Sequence, residues 1–158
     1  MTNMMEMSVQ NSLKEFMRMY PQGVTIVTTR HEGKPLGVTV SAFTSVSMEP
    51  PLIMVAIFKS SSISQPIIKS GTFTVNLLSE GESRTSQDFA SRSEKPASIF
   101  EEGKYPYIVE SAASLGCKVW NIVDAGDHWL FLGLVEEVRI KRHDKPLVYF
   151  NKEYTTVC

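Results

Sequence analysis

The sequence predicts a mainly β domain, an antiparallel barrel with only a few short helices. Six or seven runs rich in β-branched and aromatic residues follow one another along the 158 residues, and turn-forming residues separate them. No GxGxxG motif follows any of these runs, which argues against a Rossmann dinucleotide domain. The length fits one domain over residues 1–158 with a single core.

A helix is predicted near the start of the chain, before the first strand. Four apolar side chains recur there at helical spacing: Leu13, Phe16, Met17 and Tyr20. Asn11 or Ser12 is the candidate N-cap, and residues 21–23 (Pro-Gln-Gly) end the helix. Residues 24–29 then form the first predicted strand, because all of them are β-branched.

Three more strands are predicted in the middle of the chain. Residues 36–45 alternate strictly, which is typical of a strand with two different faces. Residues 52–58 are continuously apolar and predict a central strand. A short helix then begins near Pro66, and residues 72–78 form the next strand.

The last part of the chain begins with a polar, irregular stretch over residues 80–107 that contains one predicted helix near residues 86–91. Three strands follow it: residues 115–123, residues 128–140 and residues 147–150. The first two of these are long and are joined by a turn at residues 124–127, which predicts a hairpin.

Composition and charge exclude several classes of function. The chain is 42% hydrophobic and 21% charged with a net charge of −1, so neither nucleic acid nor an anionic membrane is an expected partner. Two cysteines are too few for a disulfide framework, and no CxxC or HExxH spacing supports a metal site. Without a secretory signal or an apolar run of about 20 residues, the expectation is a soluble cytoplasmic protein that binds no metal.

The first candidate for chemistry is the loop formed by Lys59, Ser60, Ser61 and Ser62. It follows a predicted buried strand and precedes the helix start at Pro66. Serine hydroxyls, free N–H groups and a helix N-terminus together suit a phosphate, and Lys59 adds a positive charge. The same residues also fit a solvated turn with an N-cap serine, and from the motif alone the turn is favoured.

The second candidate is one face of the strand at residues 36–45. That face presents four side chains, which are Thr39, Ser41, Phe43 and Ser45. Such a face usually meets water, but a polar face with one aromatic side chain could also line a flat heteroaromatic ligand. The pattern supports both interpretations equally.

The third candidate is His128, which follows Gly126 and Asp127 at the start of a long strand. Histidine can donate or accept a proton near neutral pH, which suits a catalytic or binding role. A lone histidine at a strand start is more often a residue of the turn. Both interpretations remain open from the residues alone.

Two further residues lie inside predicted strands and have polar or reactive side chains. Asn76 stands in an apolar strand and must find hydrogen-bond partners there, which are more often backbone groups than a ligand. Cys117 lies in the alternating pattern of a predicted strand and is more typical of a core residue than of a nucleophile.

The order and spacing of these segments resemble the flavin-reductase-like family, the FMN-binding split barrels. The resemblance covers the chain from Phe16 to Tyr154 and is greatest for the small reductase component of two-component flavin-dependent monooxygenases. The matching segments are residues 20–29, 37–47, 50–51, 59–62, 73–78, 89–90, 126–128, 130–133 and 146–150.

This resemblance implies a split-barrel homodimer with FMN or FAD near the subunit interface. Three groups of residues are implied in flavin binding: Val38, Thr39, Val40, Ser41 and Ala42 along the ring and ribityl chain; Lys59, Ser60, Ser61 and Ser62 at the phosphate; Asn76, Leu77, Leu78, Phe89 and Ala90 around the ring. His128 is implied as the catalytic residue, beside the nicotinamide of NADH or NADPH.

The activity that the resemblance implies is reduction of FMN or FAD by NADH or NADPH, with reduced flavin passed to a partner monooxygenase. Hydride transfer is the chemistry of the flavin, so the protein has to hold the nicotinamide against it and stabilise developing charge. Two alternatives stay open. One is a flavoprotein with tightly bound FMN that reduces ferric ions or another acceptor, and the other is a non-enzymatic flavin-binding electron carrier.

Overall fold

The structure of the chain is a computed structural model that describes residues 4–91 and 94–158. The helices in this part of the chain are α1 (Met4–Arg18), α2 (Ser64–Ser70) and α3 (Ser83–Ala90), with a short 3₁₀ helix at Ala97–Ile99. The strands are β1 (Gln22–Gly23), β2 (Thr25–His31), β3 (Lys34–Val40), β4 (Phe43–Met48), β5 (Pro51–Phe58), β6 (Thr72–Leu77), β7 (Ala113–Ala125), β8 (His128–Ile140), β9 (Val148–Phe150) and β10 (Glu153–Thr155).

Seven strands form one antiparallel sheet in the order β3-β2-β6-β7-β8-β5-β4. Strands β1, β9 and β10 form a small second sheet. This confirms the predicted mainly β, antiparallel class with a few short helices. None of the described helices is long and apolar enough to cross a membrane.

The large sheet is split between its ends. Its two end strands, β3 and β4, are consecutive in the chain. Only Ser41 and Ala42 separate β3 from β4, so the chain passes from one end of the sheet to the other at this point. The N–H of Ala56 in β5 donates to the carbonyl of Ala42 at 2.9 Å, which brings β5 beside the end of β3. The sheet therefore curls like a barrel and remains unclosed between β3 and β5.

Two apolar clusters support this curled sheet. The larger one lies inside the sheet and includes Val27, Phe73 and Phe131. The smaller one lies under α3 and includes Ile26 and Phe89. In β5 burial alternates along the strand instead of being continuous, since only every second side chain points into the core.

Two predicted elements differ clearly from the structure. The N-terminal helix begins at Met4, well before the Asn11 or Ser12 predicted as its cap. The strand predicted over residues 36–45 is two strands, β3 and β4. They lie at opposite ends of the sheet, and the chain passes from one end to the other at Ser41 and Ala42. As a result, Thr39 and Phe43 lie on different strands instead of sharing one face.

Candidate functional site

A cavity lies at the split in the sheet, where β3 and β5 face each other. It has a volume of about 420 Å³, within the range of small-molecule sites. Strand β3, the following link, β5, the loop after β5, α3 and the start of β8 supply its walls. The lining residues are Val38, Thr39, Val40, Ser41, Ala42, Ala56, Ile57, Phe58, Ser60, Ser61, Ser62, Phe89, Ala90, Ser91 and His128.

One wall of this cavity is a strand edge. Strand β3 ends the sheet order, and within residues 4–91 and 94–158 no strand pairs with its outer edge. Alternate residues of an antiparallel strand direct their N–H and C=O groups away from the paired neighbour. The edge therefore offers backbone donors and acceptors to a flat ligand that lies along it.

A second wall is the serine loop between β5 and α2, formed by Ser60, Ser61 and Ser62. The Ser61 N–H donates to the Phe58 carbonyl at 3.0 Å, and the Ile63 N–H donates to Ser61 Oγ at 3.5 Å. The Ser61 hydroxyl proton is still able to donate to a ligand, because its oxygen is the acceptor in that contact. Ile63, and not a serine, stands at the N-cap of α2, with no side-chain cap hydrogen bond.

Lys59 does not line the cavity, although it precedes the serine loop. Its Nζ lies 2.5 Å from Asp124 Oδ1 and 4.7 Å from the centre of the Trp129 ring. Among the side chains that the structure describes, no Lys or Arg lines the cavity, and His128 is its one ionisable group. Among the described residues, hydroxyl and backbone N–H groups are therefore the ones available to a phosphate in this cavity.

His128 contributes an imidazole ring held on two sides. Its Nδ1 lies 2.7 Å from Asp127 Oδ1, and its ring centre lies 4.1 Å from that of Phe58. The hydrogen bond with His128 lowers the pKa of Asp127 below its usual value. Phe58 and His128 are paired across β5 and β8, so the sheet register places the two rings together.

Comparison with known proteins identifies the family. Residues 17–157 match the model of the flavin reductase like domain. The chain is 35% identical over 146 residues to the reductase component of 4-hydroxyphenylacetate 3-monooxygenase from Thermus thermophilus, covering 92% of this chain and 95% of that protein. The protein belongs to the flavin reductase-like family.

Solved structures agree with this assignment. Flavin reductase PheA2 superposes with a TM-score of 0.87 at 36% identity, over 94% of this chain and 97% of that chain. The NADH:FAD oxidoreductase SgcE6 of Streptomyces globisporus, solved with NAD and FAD fragments, has a TM-score of 0.85 at 26% identity, over 96% of this chain and 94% of that one. The predicted resemblance to the flavin reductase-like family and its split-barrel fold is confirmed.

In this member of the flavin reductase-like family, α3 is fastened to β3 beside the cavity. The Thr39 hydroxyl donates to the Ser86 carbonyl at 2.5 Å, so its proton is engaged in a hydrogen bond within the protein. A Cβ on Gly37 would lie 3.1 Å from Phe89 Cε1, which shows how closely the Phe89 ring approaches β3. Phe89 is buried and Ala90 exposed, and both line the cavity as the resemblance implied.

The structure does not bring Asn76, Leu77 and Leu78 to the cavity. The Asn76 amide donates to Ile26 O at 2.9 Å and to Thr74 Oγ1 at 2.8 Å. Its carbonyl accepts from Ile108 N at 3.0 Å and from Ser114 Oγ at 2.7 Å. Every donor of this buried amide is thus used within the protein, and the flavin contacts implied for Asn76, Leu77 and Leu78 stay predictions.

Phe58 and Cys117 both lie in predicted strands, but only one of them is buried. Phe58 looked like the last core residue of an apolar strand, yet it is 54% exposed and lines the cavity. Phe58 is paired with His128, the first residue of β8, and this place at the end of its own strand was the available signal of exposure. Cys117 is fully buried, and burial raises the pKa of its thiol to about 12, as expected for a core residue.

Proposed function

We propose that this protein reduces FMN or FAD with NADH or NADPH and supplies the reduced flavin to a partner monooxygenase. The observation that supports this most is the cavity at the split, which combines an unpaired strand edge, a serine loop and an aromatic pair in one place. A member of the flavin reductase-like family with this cavity is an oxidoreductase.

The residues present fit a flavin. The edge of β3 from Val38 to Val40, continued by Ser41 and Ala42, supplies backbone donors and acceptors for the polar rim of a heterocycle. The hydroxyls of the serine loop supply donors for a phosphate. Apolar surface from side chains such as Phe58 and Ala56 covers a ring face. When bound, the flavin supplies the hydride-accepting chemistry.

The chain itself then has three tasks. Backbone N–H groups along β3 stabilise negative charge that develops at the heterocycle rim, which is where fixed donors act most strongly. His128 and Phe58 orient the nicotinamide ring at contact distance. Phe89 and Ala90 restrict water on the side of α3. None of these tasks needs a general acid or base.

The activities of relatives support the partners in this proposal. Besides the 4-hydroxyphenylacetate system, a relative from Streptomyces globisporus that is 34% identical over 125 residues is an NADH-dependent FAD reductase. NADH and FAD are therefore the first pair to test here, with NADPH and FMN as the comparison. A cytoplasmic location stays our prediction, and both Cys117 and Cys158 are free thiols.

Purified protein mixed with NADH and excess FAD or FMN is expected to oxidise the NADH rapidly, measured as loss of nicotinamide absorbance. Turnover should need added flavin, because a reductase that supplies reduced flavin to a partner exchanges its flavin. Turnover that appears only with a ferric or other acceptor would favour the bound-FMN reductase instead. No turnover with any acceptor would favour a non-enzymatic flavin carrier.

We also propose that the protein is a homodimer. Helix α1 and the end strand β4 expose apolar side chains that a second copy could cover, with Phe16 64% and Met48 88% exposed. The others in these two elements are Val9, Leu13, Met17 and Val46, and Met19 and Tyr20 are exposed directly after α1. Homodimers with closed symmetry are the commonest oligomers. Light scattering at micromolar concentration should give twice the 17.7 kDa chain mass, and a monomer mass would contradict the proposal.

A further inference from the structure

Helix α3 forms one wall of the cavity, but it is too short to be stable by itself. It has eight residues, and an isolated helix shorter than about 12 residues is marginal in water. Its place in the fold therefore depends on contacts with the rest of the protein. These contacts matter for the cavity, because the end of α3 brings Phe89, Ala90 and Ser91 to its lining.

Ser86 lies in the middle of α3 and makes polar contacts on two sides. It is fully buried, whereas serine is mostly an exposed residue. Its carbonyl accepts from the Thr39 hydroxyl at 2.5 Å, and its own hydroxyl lies 2.8 Å from the Tyr154 hydroxyl. Ser86 thus joins α3 to β3 at the cavity and to β10 near the C-terminus.

Tyr154 reaches α3 from a hairpin that is itself anchored. Its ring packs against the smaller apolar cluster, which also contains Phe89. The hairpin of β9 and β10 turns at Asn151 and Lys152, whose φ angles of 52° and 64° are typical of a type I′ turn. The Asn151 N–H donates to the Arg18 carbonyl at 3.0 Å, which ties the turn to the end of α1. Tyr154 therefore gives α3 a fixed point of attachment.

The contact at Ser86 controls where Phe89 lies. The two residues are three positions apart, so they share one face of α3, and both are buried. The Phe89 ring meets Phe100 edge-on, with 5.8 Å between the ring centres. Its other side approaches β3, where a Cβ on Gly37 would lie 3.1 Å from the ring. A shift of α3 at Ser86 therefore changes the spacing between Phe89 and β3, and with it the width of the cavity.

We propose that Tyr154 is a positioning residue for flavin binding, whose hydroxyl acts through Ser86 to hold α3 at the distance from β3 that fits a flavin. This inference rests on the proposed function of the cavity. Tyr154 does not line the cavity, so its effect on a ligand is transmitted by α3. Without the Tyr154 hydroxyl the buried Ser86 hydroxyl loses this partner, a cost that a shift of α3 towards water would relieve.

Tyr154→Phe tests the inference, because it removes the hydroxyl and keeps the ring. It should weaken FMN and FAD binding roughly 3- to 10-fold, the usual effect of one neutral hydrogen bond, and speed flavin release by a similar factor. Flavin fluorescence quenching measures the affinity, and stopped-flow fluorescence measures the release. KM for NADH at saturating flavin should stay near the wild-type value, because Phe58 and His128 belong to β5 and β8.

Ser86→Ala tests the same contact from its other side. It should weaken flavin binding as much as Tyr154→Phe does, and the double variant should lose no more than either single variant, since all three lack one and the same hydrogen bond. Tyr149→Phe is the matched control. Its ring centre lies 5.4 Å from that of Tyr154 on the neighbouring strand, and it does not line the cavity, so this variant should bind flavin like the wild type.

The outcomes separate this inference from the proposed function. Wild-type flavin affinity in Tyr154→Phe, even with a lowered Tm, would show that the contact only stabilises the fold and would overturn the role of Tyr154. Additive losses in the double variant would overturn it as well, and both results leave the function standing. A wild-type protein that binds neither FMN nor FAD would overturn the proposed function and this inference with it. Equal losses in the two single variants and the double variant support the inference.

Discussion

Replacing Ser61 and Ser62 together by Ala is expected to weaken FMN binding by about a hundredfold or more, while riboflavin, which lacks the phosphate, loses far less. Each hydrogen bond to a charged group contributes about 1.5–3 kcal/mol, and about 1.4 kcal/mol corresponds to a tenfold change in affinity. The loss should be large because Lys59 is paired with Asp124 and does not line the cavity. Quenching of flavin fluorescence measures both affinities.

Ser64→Ala is the matched control for this experiment. The Ser64 hydroxyl lies at the start of α2, directly after the serine loop, and donates to the Phe58 carbonyl at 2.7 Å, but it does not line the cavity. A variant that only disturbs the loop should weaken FMN and riboflavin equally. If the double serine variant also weakens both flavins equally, or neither, the loop is a structural turn and the phosphate lies elsewhere.

Gly133→Ala is expected to lower the free energy of unfolding by about 1–3 kcal/mol, the usual cost of overpacking a core. A Cβ at this position of β8 would lie 2.6 Å from Phe73 Cζ and 3.0 Å from Cys117 Cβ. Both neighbours are buried in the larger core cluster, so neither can move away without disturbing others. Urea denaturation measures the change.

Gly23→Ala provides the comparison for Gly133→Ala. It is also a strand glycine, and a Cβ there would meet no atom within 4 Å. Its free energy of unfolding should stay close to that of the wild type. Equal stability of the two variants would show that the contact between β8 and Phe73 is looser than the structure indicates.

The strands could be predicted from sequence because their signals are local. The β-branched run of β2 and the turn before His128 depend on neighbouring residues alone, and both occur in the structure. The break at Ser41 and Ala42 could not be predicted in this way. Alternation continues through it, and the break results from a partner 14 residues later, where the Ala56 N–H meets the Ala42 carbonyl.

The candidate site was predictable where one segment forms a wall, as with Ser60, Ser61 and Ser62. It was not predictable where a distant partner decides what a side chain does. The sequence suggested that Lys59 could bind a phosphate. In the structure its ammonium group forms an ion pair with Asp124, 65 positions later in the chain. The amide of Asn76 is satisfied by partners up to 50 positions away. Such pairings depend on the sheet order, which no local pattern contains.

The split in the sheet has a consequence for handling and storing the protein. An unpaired strand edge is a template on which another chain can add, and this is a common origin of aggregation in β proteins. The outer edge of β3 is such an edge, and a ligand lying along it would cover the same groups that a foreign strand would use. If the protein releases its flavin at each turnover, as we propose, this edge is uncovered repeatedly, and added flavin in the buffer should then reduce aggregation.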